Sequence, residues 1–554
     1  MDQVLFGTSG TANLVAIFHK LSGSNSLTDI NPIDSRHSRP LDVHLWSEHA
    51  EVDNLVDFIF NTFTEVERQS IKGKSNNKGK ASGITLLKLI LIDLYVAWKT
   101  DPELSIGVAR GNGAYKVNSR YNALFISSRI REVIDLLISR DYLDSIGGSH
   151  DRVGKGQGSH TSRIRASSKL REAFKKLTIE PYHLNLNHNQ ECIILSDYDT
   201  DDEGKFVRMV KGNSTVKKRI FVEYKDTDNP NLVSMRSDLQ KYNKLLKQTY
   251  IDIPALEEPF ITRQLKNGNT QRVQINQTGK FVRRIFSRGS WEMNGRFYGG
   301  FWQQISKDLR KQIYINDIPT VEVDYKGLHA AILSARQGVF DSSDRYDLDR
   351  QILPEFDLKQ QREMVKLLVL TAINAKSPKS AFSAFRHSQP KGSMEKKLKD
   401  NQLQQLLDTF INTHPYLEED MCSDKGIELM FTDSQITAHI INKFTELNKP
   451  ILSVHDSYIV CTKDTELLRE TMQQATLNIV GTDLSAEQQI PSYQQIEAMR
   501  YIDRDRYIDT FNTVLVNKFK SKQYQQRLSD FWNYHDSKTQ HKSTCTNTLH
   551  HNHY

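Results

Sequence analysis

Two segments far apart in the chain each run an apolar strand into an aspartate at a turn. The first is Thr320-Val-Glu-Val-Asp324-Tyr-Lys-Gly-Leu-His-Ala-Ala-Ile332; the second is Ile451-Leu-Ser-Val-His455-Asp456-Ser-Tyr-Ile-Val460. Strand alternation in the first puts Val321 and Val323 on one face and Glu322 and Asp324 on the other. In the second, residues 451–454 and 458–460 flank a His-Asp turn, which reads as a hairpin with an acid at its tip. One aspartate at a strand end is an ordinary turn former. Two such strands call for a fold that gathers both acids at the floor of a cleft, where they would hold a divalent cation.

The 554 residues suffice for three or four ordinary domains. Hydrophobic residues make up 38% and charged residues 25%, a globular balance. The most apolar stretch, residues 84–98, is broken by Lys88 and Asp93 and predicts a buried helix, with no membrane span. The start of the chain lacks a basic, apolar leader, and Cys192, Cys422, Cys461 and Cys545 are widely spaced. A reducing cytoplasm is therefore expected, with neither a disulfide framework nor a zinc site. The net charge of +7 suits a polyanionic partner without specifying one.

Five regions are expected: 1–82, an N-terminal arm and helical region ending in a flexible connector; 83–178, a winged helix; 179–290, a connecting α/β region; 291–500, the catalytic core; and 501–554, a C-terminal helix and polar tail. Within the second, helical periodicity (Ile130, Val133, Ile134, Leu137) leads into a glycine-rich basic loop and a return strand. Helix, strand, basic hairpin and strand is the layout of a winged helix, whose wing would carry Arg152, Lys155, Arg163 and Arg165 to nucleic-acid phosphates. The acidic run Asp197–Glu203 lacks the glycine of a calcium loop and the partner carboxylates of an exonuclease, so it reads as an acidic turn. Between the two aspartates, Arg362-Glu-Met-Val-Lys366 sets a guanidinium and an ammonium one turn apart on a helix that continues to Asn374. Both could meet a triphosphate.

The order of these pieces resembles the palm and fingers of family A DNA polymerases and the related single-subunit, phage-type RNA polymerases. Those carry a motif A aspartate, an R-x3-K helix and an H-D turn, matched here by Asp324, Arg362–Lys366 and His455-Asp456. Asn294-Gly-Arg296-Phe-Tyr298 resembles the family's G-R motif, and Glu428–Ala438 the helix before its H-D hairpin. The resemblance covers roughly residues 283–490. It implies an α+β fold: an antiparallel palm sheet with helical fingers, here preceded by the winged helix. It implies a template-directed nucleotidyltransferase, a DNA polymerase in preference to an RNA polymerase or primase-like enzyme. Two Mg²⁺ ions (or Mn²⁺) would sit on Asp324 and Asp456, with Lys366 as proton donor. Arg362, Lys366, His329, Asn374 and Tyr325 would take the nucleotide; Arg296, Tyr298 and His455 would hold the DNA or RNA template and primer. The motif departs at Asn374-Ala375, where the family has Tyr-Gly, and at His329, where the DNA enzymes have glutamate. A non-catalytic winged-helix initiator, with the core kept as a scaffold, is the competing reading. Oligomeric state is not legible.

Overall fold

The computed structural model describes residues 32–34, 37–72, 80–111, 114–148, 161–179, 183–186, 190–201, 203–211, 214–264, 270–275, 277–340, 344–488 and 519–548. It is a mixed α/β chain with several small sheets. Two compact units divide it: residues 1–43, 50–115 and 126–178 form one, and residues 44–49, 116–125 and 179–554 the other.

In the first unit the elements run β1 (Ser38–Pro40), α1 (Ala50–Asn61), α2 (Glu65–Lys72), α3 (Gly83–Thr100), β2 (Ser105–Val108), α4 (Ile130–Ser139), β3 (Leu143–Ile146), β4 (Ser162–Ala166) and α5 (Ser168–Phe174). The sheet order is β1-β2-β4-β3, antiparallel except for the parallel β1–β2 pair. Residues 38–40, expected in an arm, are thus an edge strand. The helical region expected within 1–82 breaks at residues 62–64, where the Thr64 N–H donates to Glu67 Oε2 at 2.6 Å. The core helix α3 is apolar almost all round, as a fully enclosed helix must be. It starts at Ser82, whose hydroxyl takes the Thr85 N–H, and Gly83 lets the Ile71 carbonyl approach where a Cβ would clash at 2.2 Å. The two charges that interrupt its sequence are both buried and both paired: Lys88 on Asp53 at 2.7 Å, and Asp93 on Arg39 and the Asp42 N–H.

Two of the basic residues expected at a wing are elsewhere. Arg165 is buried, held by Glu103 at 2.6 Å and facing its cross-strand partner Asp144, so its charge is spent inside the unit. Arg163 lies over Gly107 with its Nε on the Ser38 hydroxyl at 2.7 Å and Nη1 on the Thr161 carbonyl at 2.6 Å. The period of two explains both: a strand that pairs on each edge commits its side chains to neighbours. Arg152 and Lys155 lie outside the described residues.

The second unit opens with β5 (Ile193–Tyr198), β6 (Arg219–Phe221), α6 (Leu232–Lys247) and β7 (Ile251–Asp252). Then come β8 (Arg283–Ser287), β9 (Ser290–Tyr298), α7 (Lys307–Arg310), β10 (Tyr314–Ile315), β11 (Ile318–Tyr325) and α8 (Leu328–Arg336). Further along come α9 (Leu358–Ile373), α10 (Pro378–Ser388), α11 (Asp400–Thr413), α12 (Gly426–Glu446), β12 (Leu452–Val454), β13 (Ser457–Cys461), α13 (Thr465–Val480), β14 (Ala486–Gln488) and α14 (Lys522–Thr548). One four-stranded sheet runs β6-β5-β8-β9; a six-stranded sheet runs β7-β10-β11-β13-β12, with β14 on the free half of β11. One apolar core joins them, from Ile193 on β5 through Val323 on β11 to Phe444 on α12. The outer edge of β12 is closed by side chains: Trp302 Nε1 and Gln303 Nε2 both donate to the Ser453 carbonyl, at 3.0 and 2.9 Å. The C-terminal segment expected to be a polar tail from residue 534 is helical to residue 548, anchored by Phe531 and Tyr524 on Tyr250.

Removing the Asp93 carboxylate strands the Arg39 guanidinium and the Asp42 N–H without their acceptor. Asp93→Ala is expected to destabilise the first unit by about 3 kcal/mol in urea unfolding, the usual cost of breaking a buried ion pair from one side.

Candidate active site

The register of one strand pair builds the site. β11 and β13 are antiparallel with Asp324 opposite Ser457, so Asp456 is the next residue out. The Tyr325 N–H donates to the Asp456 carbonyl at 3.2 Å, carrying the ladder one step beyond the strand. β12 and β13 form the expected hairpin, and His455 turns it in the left-handed region, φ 58°. On the other edge of β11, Asp324 faces Glu487 of β14. The two aspartates named from the sequence are therefore neighbours on one sheet.

Among the described residues the Asp324 carboxylate has no hydrogen-bond or ion-pair partner. Its Oδ1 is buried without a hydrogen-bond partner. Burial pushes its carboxyl up to about 7, reinforced by the charges of Asp456 and Glu322 and only partly offset by Lys307 and Lys366. Glu322, one pleat earlier, differs: Arg310 forks onto it at 2.9 and 3.1 Å and the Ser457 hydroxyl donates at 2.7 Å. The strand thus carries one satisfied acid and one left open toward a cleft. An orphaned carboxylate oxygen beside a second acid fits a hard divalent cation. Among the described residues no group of three or more His, Cys, Asp or Glu converges as a metal cage. Two carboxylates suit Mg²⁺, which keeps waters and takes its remaining ligands from bound phosphates.

The cleft holds about 370 Å³, and its walls include Asp324, Lys326, Asp344, Arg362, Lys366 and Glu487. α9 brings the two cations. Its start is fixed by a capping box between Asp357 and Gln360, and Met364, Val365, Leu368 and Val369 bury one face. Arg362 and Lys366 fall on the other side, one turn apart. The Arg362 guanidinium is held by Asp344 and Glu363. The Lys366 ammonium makes no ion pair among the described residues and acts on Asp324 through space. α8 begins at Gly327 in the left-handed region (φ 55°), where a side chain would meet the Tyr346 hydroxyl at 2.9 Å; this tight turn carries the chain away from the cleft floor.

A second cluster stands behind the hairpin. A bulge in β9 puts Asn294 and Gly295 at positive φ and swings Arg296 onto α12. There its guanidinium pairs with the fully buried Asp433 at 2.5 Å and meets His329 Nε2 at 3.1 Å. Burial raises the Asp433 carboxyl to about 6 against the pull of Arg296, and burial beside the same guanidinium drops His329 to about 3. His329 is neutral at any ordinary pH. The Tyr298 ring sits edge-on to His455 with centroids 5.9 Å apart. Arg284 clamps the bulge from behind, donating to the Gly295 carbonyl (2.8 Å), the Ser434 hydroxyl (3.1 Å) and Gln435 Oε1 (3.0 Å).

Three residues expected at the nucleotide are placed otherwise. Tyr325 follows the strand alternation onto the valine face: its ring is buried and its hydroxyl donates to the Met472 carbonyl at 2.7 Å. His329 is buried against Arg296 and does not line the cleft. Asn374 caps the far end of α9, donates to the Leu370 carbonyl at 2.7 Å and lines a separate hollow with Asp424. Lys307, Glu487, Asp344, Asp433 and Arg284 were not named from the sequence. Only the pairing of β14 with β11 brings Glu487 to Asp324, and Lys307 acts on it through space from α7; no local pattern signals either.

A scan of protein-family models finds no match to the chain, and a search of curated proteins finds none. Among solved structures the chain is similar to the POL domain of Pol1 from M. smegmatis, in complex with DNA primer-template and dNTP, at 14% identity and a TM-score of 0.25. The match takes in 38% of this chain and about half, 47%, of that one.

The Asp324 carboxyl fixes a pH signature. Well below pH 3.8 it is protonated in folded and unfolded chains alike; above about 7 the folded chain must hold it ionised and desolvated. In divalent-free buffer Asp324→Asn is therefore expected to be more stable than the wild type by on the order of 4 kcal/mol at pH 8, with the gap closing as pH falls below about 3. Urea unfolding across that range measures it.

Proposed function

We propose that the second unit is a template-directed nucleotidyltransferase, adding nucleotides to a 3′ end, with a DNA polymerase favoured. The observation that carries this reading is the open, unneutralised Asp324 carboxylate, one ladder step from Asp456 and across a cleft from Lys366 and Arg362. Two adjacent acids on one side and two cations on the other suit a bound triphosphate with its divalent ions: opposite charges are supplied at the reacting end and at the departing end. The six-stranded sheet bearing both aspartates would be the palm, and α9 with α10 and α11 the fingers. In the first unit the β2-β4-β3 order, with α4 leading into β3, supports the winged-helix reading.

Asp324 and Asp456 would hold Mg²⁺, whose chemistry would be to acidify an attacking hydroxyl and offset charge on a leaving pyrophosphate. The chain's own groups do the rest. Arg362 forks onto outer phosphate oxygens, exchanging Asp344 and Glu363 for them. Lys366 stands free to give a proton to the departing phosphate. Arg310 and Ser457 keep Glu322 silent, so that it does not compete for the cation. Arg296, locked by Asp433, presents its remaining edge and the Tyr298–His455 pair toward a strand end. His329 is too enclosed to screen a ribose, so sugar choice rests on the cleft wall itself.

Purified protein with Mg²⁺, labelled ribo- or deoxynucleotides and primed or unprimed templates tests this. Incorporation is expected, with deoxynucleotides preferred. Asp456→Asn should lower it about 10³-fold, matching the several kcal/mol of charge stabilisation that a metal site supplies. Lys366→Met should cost about 10²- to 10⁴-fold, the range of a general acid. No incorporation with either sugar, or full activity in Asp456→Asn, sinks the reading in favour of a non-catalytic DNA-binding role.

A further inference from the structure

One strongly basic segment follows the helix that carries Arg362 and Lys366. Residues 376–399 hold seven lysines and arginines against one acid, Glu395: a net of +6 in a chain whose total is +7. They span the turn after α9, all of α10 and the segment that leads to α11. Three of the seven are spoken for: Lys376 lies 3.3 Å from Asp424, Arg386 2.6 Å from Asp400, and Lys396 donates to the Gln389 carbonyl at 3.0 Å. The other four, Lys379, Lys391, Lys397 and Lys399, are exposed, and their ammonium groups make no hydrogen bond or ion pair among the described residues. Lys379 even sits in the first turn of α10, where the helix dipole already disfavours a cation. Self-repulsion of this kind costs stability unless a polyanion relieves it.

We infer that the exposed ridge of α10 and its following turn binds a single strand of nucleic acid through its phosphates. Between the cations the ridge exposes Ser380, Ser383, Ala384 and Ser388, which are short, hydroxyl-bearing or bare, and let a sugar-phosphate chain come close. α10 is sunk into the unit by Ala381, Phe382 and Phe385, so it presents one edge and cannot enter the groove of a duplex; a flexible strand can lie along it. α10 also forms a wall of the hollow lined by Thr371 and Asn374, at the far end of the helix that carries Arg362 and Lys366. The ridge is thus continuous with the fingers. It would bind nucleic acid whether or not the aspartate cleft transfers nucleotides, so its test does not depend on that reaction.

The test is fluorescence anisotropy of the full chain with a labelled mixed-sequence single-stranded DNA, a matching duplex and phosphatidylserine vesicles, over a range of salt. The variant is Lys379→Gln, Lys391→Gln, Lys397→Gln and Lys399→Gln combined. Its affinity for the single strand is expected to be about 10- to 100-fold lower at moderate salt, and the log–log salt slope shallower by about 3, as four lost phosphate contacts require. The four Lys→Arg changes should restore both. An unchanged melting temperature separates this from misfolding. Unaltered single-strand affinity and slope in the Gln variant, a loss confined to duplex, or a loss confined to vesicles would each overturn the inference.

Discussion

The pairing of β11 with β13 governs everything else in the second unit. Its register sets Asp324 opposite Ser457, and the left-handed turn at His455 places Asp456 one step further along the same edge. A shift of one residue would send Asp324 to the core face and Val323 to the cleft, because alternation has a period of two. Burial of Val321, Val323, Tyr458 and Val460 opposes that shift. The acids are therefore brought together by apolar packing beneath them, and the mutual repulsion recorded in the raised Asp324 carboxyl is carried by that packing.

Charge is managed very differently one pleat apart. Glu322 is enclosed by a bidentate arginine and a hydroxyl; Asp324 has neither. Leaving a buried carboxylate oxygen without a partner costs free energy, and the fold tolerates that cost only where α9 and β14 leave the side chain facing a cleft. Arg362 meanwhile is kept in readiness by two acids at its own rim. The contrast marks Asp324 as the place where an outside cation would gain most.

What could be read in the sequence followed strictly local rules. The hairpin at His455-Asp456, the α9 helix with Arg362 and Lys366 on one side, and the long helix around Glu428–Ala438 are each written in a short periodic stretch, and each is present. Tyr325 was legible too, had alternation been carried one residue past Asp324: it shares a face with Val321 and Val323. The contributions of Lys307, Glu487 and Arg284 were not legible, because they depend on where α7 falls, on a strand partner far away in the chain and on a bulge in β9. Arg165 looked like a wing cation because its sequence is basic; its cross-strand partner Asp144 and its neighbour Glu103 absorb that charge.

Arg284 has a consequence for how still the site can be. Its guanidinium, lowered to about 10 by burial, has no carboxylate to balance it and is satisfied by the backbone of β9 and by two side chains of α12. Asp433 on that same helix grips Arg296 on that same strand, so two crossed ties join the pair of elements. With two such ties, neither helix nor strand can slide or rotate without breaking buried polar contacts at both ends. Whatever that surface binds, the disorder it would otherwise have to freeze out has already been removed during folding.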